Sequence, residues 1–229
     1  MHPQLPLGLK LKDSATFENY LPGANGEALA CLRHLEASPW RAGSYLWGGP
    51  GTGKSHLLQA VCHAASDRDT AAIYLPMQAA ELFPCEALFG IENVGTVCID
   101  DIHAISGRAE WETALVHLLD RIRAAGAGVV VTGNALPAEL GLRLPPLASR
   151  LAGGLVLQLK PLSEPDKLQA LQLRAARRGL ALPAEVKRYL VRHYGRNMGA
   201  LFAALEAVDR ASLAAQRKLT VPFIRQVLK

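Results

Sequence analysis

The feature that most constrains the fold is a glycine-rich loop between an apolar run and a helical segment. The run GSYLW leads into GGPGTGKS, Gly48–Ser55, and KSHLLQAVCHAAS then shows helical spacing of its apolar residues. The loop fits the pattern G-x-x-x-x-G-K-[ST], in the strand-to-helix context that the pattern requires. Glycines let backbone N–H groups surround a phosphate, and the helix directs its positive dipole end at the same anion. The loop therefore predicts a phosphate-binding site, and a chance glycine-rich turn is the alternative.

Within this loop, the lysine and the serine carry specific chemistry. Lys54 would place an ammonium against the β- and γ-phosphates of a nucleotide, and Ser55 would hold Mg²⁺. A nucleotide with Mg²⁺ is therefore the predicted cofactor. The candidate nucleotide ligands are Gly48, Gly49, Pro50, Gly51, Thr52, Gly53, Lys54, Ser55 and the residue that follows, His56.

The predicted secondary structure changes near Lys160. Before it, the runs GSYLWGG, AAIYL, GTVCIDD, AGVVVTGN and GGLVLQL predict buried strands that alternate with helices, and QAAELF predicts a short helix. Solid apolar strands alternating with helices are typical of a parallel sheet covered on both faces. After Lys160 only helical periodicity remains, over about 163–179, 184–194, 198–216 and 220–228. The sequence predicts an α/β domain followed by a small all-helical one.

Charge divides along the same boundary. Residues 1–159 contain 11 Lys and Arg against 15 Asp and Glu, a net charge of −4, whereas residues 160–229 contain 14 against 5, a net charge of +9. A basic block can attract nucleic acid or phosphate, and a solvated helical face is the alternative. No apolar run spans a bilayer and no signal peptide is evident, so we expect a cytoplasmic protein. The four cysteines lack metal-ligand spacing, and we expect them to be reduced thiols.

Polar residues follow two further predicted strands. Asp100 and Asp101 end the run TVCIDD, where doubly wound sheets bind ligands, so Asp100 would reach Mg²⁺ through water and Asp101 would polarise the attacking water. A solvated turn or a helix cap is the alternative. Asn134 ends VVVTGN and is a candidate to touch the γ-phosphate or orient water, although a turn-forming asparagine has the same pattern.

Arg150, in LPPLASRL, precedes the last predicted strand and so lies away from the phosphate-binding strand tips of its own domain. An arginine there can project toward a neighbouring subunit and stabilise charge on a transferring phosphoryl group, which contributes ~10³–10⁵ in rate. A partner in a surface ion pair is the alternative.

The order of these motifs resembles that of the AAA+ ATPases, and FENYLPGAN (residues 17–25), CIDDIH and LASRL narrow the resemblance to the DnaA/Hda family. It implies an AAA+ P-loop NTPase core with a parallel sheet, followed by a small all-helical lid. It also implies that the nucleotide is ADP or ATP and that Phe17, Asn19 and Tyr20 lie near the adenine. The lid of this family carries a nucleotide-contacting arginine, but Gly199 occupies that position here. Arg196, three residues earlier, is a candidate substitute.

The N-terminal QLPLGL is similar to the short sliding-clamp-binding peptide of regulatory members of this family. Gln4, Leu5, Leu7 and Leu9 match it, and an extended peptide can place alternate side chains in pockets of its host. Packing of these leucines on their own domain is the alternative.

Taken with the resemblance, the sequence predicts three parts: a clamp-binding peptide (1–12), a nucleotide-binding domain (13–160) and a lid (161–229). The implied function is regulatory inactivation of the initiator DnaA. Arg150 stimulates hydrolysis of DnaA-bound ATP together with the DNA polymerase III sliding clamp (its β subunit) on DNA, and intrinsic ATPase is weak or absent. The implied state is a monomer or a dimer. A helicase loader or transposition-type ATPase acting on single-stranded DNA is the alternative. A DNA-reading initiator is disfavoured, since we expect no helix-turn-helix beyond the lid.

Overall fold

A five-stranded parallel sheet organises the first part of the computed structural model, which describes residues 15–35 and 43–228, except for the side chains of residues 34 and 35. The strand order is β2-β3-β4-β1-β5, and the four neighbouring pairs are all parallel. The strands are β1 (Ser44–Trp47), β2 (Ala72–Pro76), β3 (Thr96–Asp100), β4 (Gly128–Gly133) and β5 (Leu155–Gln158). The predicted parallel α/β fold is therefore confirmed.

Among the described residues, four α-helices accompany this sheet. Apolar side chains cover it, because the central strands are apolar on both faces and need cover from each side. Two buried clusters result, one that includes Ile99 and Leu115, and another that includes Leu46 and Leu57. The helices are α1 (Gly26–Leu35), α2 (Lys54–Ser66), α3 (Ala109–Ala125) and α4 (Pro145–Ala152).

The second part of the chain is helical, as its periodicity predicts. A capping box begins α5, since the Ser163 side chain accepts from Asp166 N while the Asp166 carboxylate accepts from Ser163 N. The side chains of Asn197 and Thr220 cap α7 and α8 with one hydrogen bond each, from Ala200 N and Phe223 N. The helices are α5 (Glu164–Arg177), α6 (Ala184–Tyr194), α7 (Met198–Ala215) and α8 (Val221–Val227).

These two parts are separate compact units. The first ends at Leu159 and the second begins at Lys160, with the loop tip Pro50–Thr52 grouped with the second. Each has its own apolar core, and that of the helical unit includes Leu171, Leu190 and Leu205.

One local expectation is wrong. The segment QAAELF, predicted as a short helix, forms a 3₁₀ turn over Met77–Ala79, and Cys85–Leu88 and Ile91–Asn93 are further 3₁₀ turns. Pro84 cannot donate a helical hydrogen bond, and Gly90 has a positive φ of 85°, so a regular helix is not continued here. Among the described residues, none of the helices combines the length and the apolar composition that crossing a bilayer requires.

Candidate functional site

The glycine-rich loop Gly48–Ser55 connects β1 to α2 at the carboxyl edge of the sheet. Gly51 and Gly53 have positive φ angles of 76° and 96°, a conformation that glycine adopts without steric cost. The Lys54 side chain curls back over the loop, and its Nζ donates to Gly48 O at 2.8 Å and to Gly49 O at 3.1 Å. Burial lowers the pKa of Lys54, while the nearby carboxylates of Asp101 and Asp100 raise it. The loop therefore holds a largely buried ammonium at the start of a thirteen-residue helix.

Aromatic residues of the N-terminal segment pack against the start of α2. A Cβ built at Gly53 would lie 2.6 Å from Tyr20 Cε2, and the Tyr20 and His56 rings have centroids 5.6 Å apart. Burial raises the pKa of Tyr20 to about 12, and a hydrogen bond from Asn25 lowers it. His56 Nε2 lies 2.8 Å from Thr16 O, which fixes this segment to the helix. Tyr20 is thus next to the glycine-rich loop and the start of α2.

The other two residues assigned to the adenine pocket lie in one 3₁₀ turn. Phe17 is buried in this turn, and Asn19, at its end, is half-buried. The Arg33 guanidinium lies over the Phe17 ring, 5.8 Å from its centroid. Phe17 therefore contributes mainly to the core.

Asp100, the last residue of β3, is held by two hydroxyl groups. Thr132 Oγ1 donates to Asp100 Oδ1 at 2.5 Å, and Tyr74 Oη donates to Asp100 Oδ2 at 2.6 Å. Gln59 Nε2 in turn donates to Tyr74 Oη at 3.4 Å. The Asp100 carboxylate is buried, and these two hydroxyl donors fix its orientation.

Asp101 has a different environment from its neighbour. Its φ of 53° is in the left-handed region, and its backbone N donates to Thr132 Oγ1 at 2.8 Å. Gln78 Nε2 donates to Asp101 Oδ2 at 2.6 Å. Burial and the Asp100 charge raise the pKa of Asp101, whereas His103, Lys54 and Gln78 lower it. A carboxylate with a raised pKa is suited to accept a proton from water.

Three predicted elements of the site share one edge of the sheet. Asn134 follows β4, which lies between β3 and β1, so it is bracketed by the Asp100 end and by the glycine-rich loop. The Asn134 side chain is exposed. Because the strands are parallel, their carboxyl ends meet at this edge, where α/β sheets bind ligands.

Arg150 is not at this edge. It lies in the last turn of α4, five residues before β5 begins at Leu155, and Leu155 pairs with Ser44 at the start of β1. Its guanidinium donates to Asp120 of α3 from Nε at 2.6 Å and from Nη2 at 2.8 Å. The surface ion pair that the sequence left open as an alternative is therefore formed.

The helical unit holds the remaining candidate. Arg196 is exposed in the turn between α6 and α7, and Gly199 is the second residue of α7. Arg196 lines a cavity of about 480 Å³ within this unit, together with Glu164, Lys167, Leu168, Arg188, Val191, Arg192 and Gly195.

The residues at the carboxyl edge fit a nucleotide and Mg²⁺. Within the described chain Lys54 uses two of its three N–H donors on loop carbonyls, which leaves one for a phosphate oxygen. Ser55 and Asp100 offer the oxygen ligands that Mg²⁺ prefers, and each Asp100 oxygen keeps a second lone pair for a metal-bound water. When bound, Mg²⁺ would neutralise charge on the phosphates, while Lys54 and the loop amides hold them.

Sequence reasoning missed Thr132, Tyr74 and Gln78. A polar residue inside an otherwise apolar strand is the signal that points to the first two, since VVVTG and AIYLP each contain one. Gln78 has no such signal, because only the turn after β2 places it on Asp101. Gln4, Leu5, Leu7 and Leu9 lie outside the described residues.

Two family models match this chain. The bacterial DnaA ATPase domain matches residues 11–158, and the Hda lid domain matches residues 164–228.

Solved structures share the fold. Domain III of the Thermotoga maritima replication initiation protein DnaA is 21% identical, with a TM-score of 0.83 over 96% of this chain and 98% of that chain. AMPPCP-bound DnaA from Aquifex aeolicus is 20% identical, with a TM-score of 0.73 over 87% of this chain and 66% of that chain. A replication initiator DnaA bound to AMPPCP and single-stranded DNA is 20% identical, with a TM-score of 0.74 over 90% of this chain and 69% of that chain. The chain is therefore a DnaA-related AAA+ protein that belongs to the bacterial DnaA ATPase-domain family and carries a lid of the Hda type.

Proposed function

We propose that this chain is a nucleotide-binding regulator that stimulates hydrolysis of ATP bound to DnaA, together with the sliding clamp loaded on DNA. In this proposal residues 1–12 bind the clamp, residues 13–160 bind the nucleotide and present Arg150, and residues 161–229 form the lid. The observation that carries it is the position of Arg150. It lies near the amino ends of the strands, whereas the glycine-rich loop and Asp100 lie at the carboxyl ends.

The separation of Arg150 from the phosphate edge favours its action on a nucleotide bound to a partner molecule. An arginine stabilises a transferring phosphoryl group only by direct contact. A β5 of four residues spans about 13 Å, which is roughly the separation between the amino and carboxyl edges of the sheet. Arg150 is suited to reach a nucleotide held by a neighbouring molecule with the same fold.

The nucleotide role rests on Lys54 and its loop. The two related DnaA structures bind AMPPCP, an adenine nucleotide analogue, which supports ADP or ATP as the ligand here. Ser55 and Asp100 would hold Mg²⁺, Asp101 would polarise water, and Asn134 would orient it. In this proposal the bound nucleotide keeps the regulator folded and hydrolysis on its own loop is slow.

The finger role is the role of Arg150 as an arginine finger, a residue that contacts the phosphoryl group transferred in a partner's site. It is tested by single-turnover hydrolysis of DnaA-bound ATP with clamp loaded on DNA. We expect Arg150→Ala to lower the stimulated rate about 10³-fold or more. The matched control is Arg68→Ala, which removes another exposed arginine from the same unit and should leave the rate unchanged. Stimulation by Arg150→Ala at the wild-type rate would refute the role.

Two further measurements separate the other parts of the proposal. Lys54→Met should abolish binding of a fluorescent ADP analogue, because it removes the buried ammonium from the loop. A clamp pull-down should lose the double variant Gln4→Ala/Leu7→Ala and retain the wild type. Robust steady-state hydrolysis of ATP by this chain alone, without DnaA, would instead favour the helicase-loader function.

A further inference from the structure

Asp120 of α3 is the residue that holds Arg150 on the surface of its own domain. Arg150 Nε donates to Asp120 Oδ1 at 2.6 Å and Nη2 donates to Oδ2 at 2.8 Å, which is the parallel two-bond geometry of a bidentate arginine–carboxylate pair. The third nitrogen, Nη1, donates to Pro146 O at 3.1 Å. Each nitrogen of the guanidinium therefore has a partner within the domain.

This pairing also offsets the charge of the guanidinium. The hydrogen bond from Arg150 lowers the pKa of Asp120, and His117 and Arg123 on the same helix add to the effect. The carboxylate is therefore ionised at neutral pH. An arginine acts on a transferring phosphoryl group through its positive charge, so a carboxylate in direct contact opposes that action.

Helix α4, which carries Arg150, is held in place by packing and by a hydrogen bond, so only side chains need to move when the Arg150–Asp120 pair opens. Leu147 and Leu151 bury the apolar face of α4. The buried Glu112 of α3 accepts from Leu144 N at 2.8 Å, directly before α4 begins. A different rotamer of Arg150 is therefore enough to release its guanidinium from Asp120.

Because the Arg150 and Asp120 side chains are partly exposed, another anion can replace Asp120 as the partner of Arg150. The Arg150 and Asp120 side chains are 32% and 49% exposed, and ion pairs that contact water are weak because both partners are well solvated when apart. A triphosphate carries several negative charges, and a docked nucleotide also excludes water from the contact. The phosphate oxygens therefore compete well against a single exposed carboxylate.

We propose that Asp120 restrains Arg150 until a nucleotide-bound partner docks, and that anionic oxygens of the partner's phosphates then displace the Asp120 carboxylate. This inference rests on the finger role proposed above. It assigns Asp120 as a residue that acts through Arg150 and opposes its insertion. Release of Arg150 is then one step of docking.

The test compares wild type with Asp120→Asn, which keeps the shape of the side chain and removes its charge. We measure single-turnover hydrolysis of DnaA-bound ATP, with loaded clamp, against the concentration of this chain. Asp120→Asn should lower the half-maximal concentration about two- to fivefold, the range expected for loss of an exposed ion pair. The control Asp209→Asn makes the same charge change and removes a carboxylate from another exposed arginine, Arg178, and should have no effect.

A spectroscopic readout shows whether the pair itself changes. In arginine-labelled protein, the Nε–H resonance of Arg150, assigned by its absence in Arg150→Lys, reports the hydrogen bond to Asp120 Oδ1. It should shift and exchange faster in Asp120→Asn and not in Asp209→Asn.

The outcomes separate the inference from the proposed function. An unchanged or raised half-maximal concentration in Asp120→Asn, with Arg150→Ala inactive, overturns the inference and leaves the finger role intact. An identical Arg150 Nε–H signal in wild type and Asp120→Asn overturns it as well. Wild-type stimulation by Arg150→Ala removes the proposed function itself.

Discussion

Thr132 is expected to be the most sensitive polar position at the phosphate edge. Its hydroxyl is wholly buried, donates to Asp100 Oδ1 and accepts from Asp101 N. Thr132→Val keeps the volume and removes both hydrogen bonds, which leaves a partly buried amide and a buried carboxylate oxygen each short of a partner. Each such loss costs about 1–3 kcal/mol, so we expect a total destabilisation of about 2–6 kcal/mol. Thr132→Ser keeps the hydroxyl, loses one methyl group and should cost about 1 kcal/mol.

Urea unfolding followed by tryptophan fluorescence measures this difference. All three tryptophans, at positions 40, 47 and 111, precede residue 160, so the signal reports the α/β unit and not the helical one. At about 2–4 °C per kcal/mol, Thr132→Val should also lower the melting temperature by about 4–24 °C. If Thr132→Val is no less stable than Thr132→Ser, the hydroxyl does not hold the acidic pair and the reasoning fails.

Three further changes probe the same edge. Tyr74→Phe removes the donor to Asp100 Oδ2 and should destabilise the unit by about 1–3 kcal/mol in the same assay; a loss below about 0.5 kcal/mol would contradict this. Asp101→Asn should stabilise the protein at pH 7, because the raised pKa of Asp101 means that its charged form disfavours folding. This gain in stability should vanish as the pH falls toward 3.8, where Asp101 becomes protonated in the folded and the unfolded protein. A gain that grows as the pH falls would refute the raised pKa of Asp101. Gly53→Ala should weaken nucleotide binding in a fluorescence titration, since φ at Gly53 is 96° and the new Cβ meets Tyr20. Adding Tyr20→Ala should relieve the clash with the tyrosine ring but not the backbone strain. Unchanged affinity in Gly53→Ala would contradict this loop conformation.

The sheet and the phosphate loop were predictable from sequence because each depends on local pattern. Five apolar runs of strand length, separated by helical periodicity, leave little choice except a parallel sheet with helices on its faces. The loop was predictable because its glycines and Lys54 have the spacing that phosphate binding requires.

The contacts that distinguish Asp100 from Asp101 were not predictable, because they depend on strand order. Thr132 reaches Asp100 only since β4 lies beside β3, and Tyr74 reaches it only since β2 lies on the other side. Neither neighbour follows from the order of the strands along the chain. The pairing of Arg150 with Asp120, thirty residues apart, depends likewise on how α4 packs against α3.

Helix α3 connects the two edges of the sheet, and its rigidity gives a final prediction. It carries Glu112 near one end and Asp120 near the other, and apolar side chains that include Leu115, Leu118 and Ile122 bury its inner face. Close-packed cores resist small displacements, and coupling between distant sites requires an element with two arrangements. Because α3 is packed along its length, we expect the Arg150 Nε–H resonance to be the same with ADP and with an ATP analogue bound at Lys54. Asp120→Asn, which opens the pair directly, is the positive control. A shift of that resonance between the two nucleotides would mean that the nucleotide bound at the loop does control the arginine at the opposite edge of the sheet.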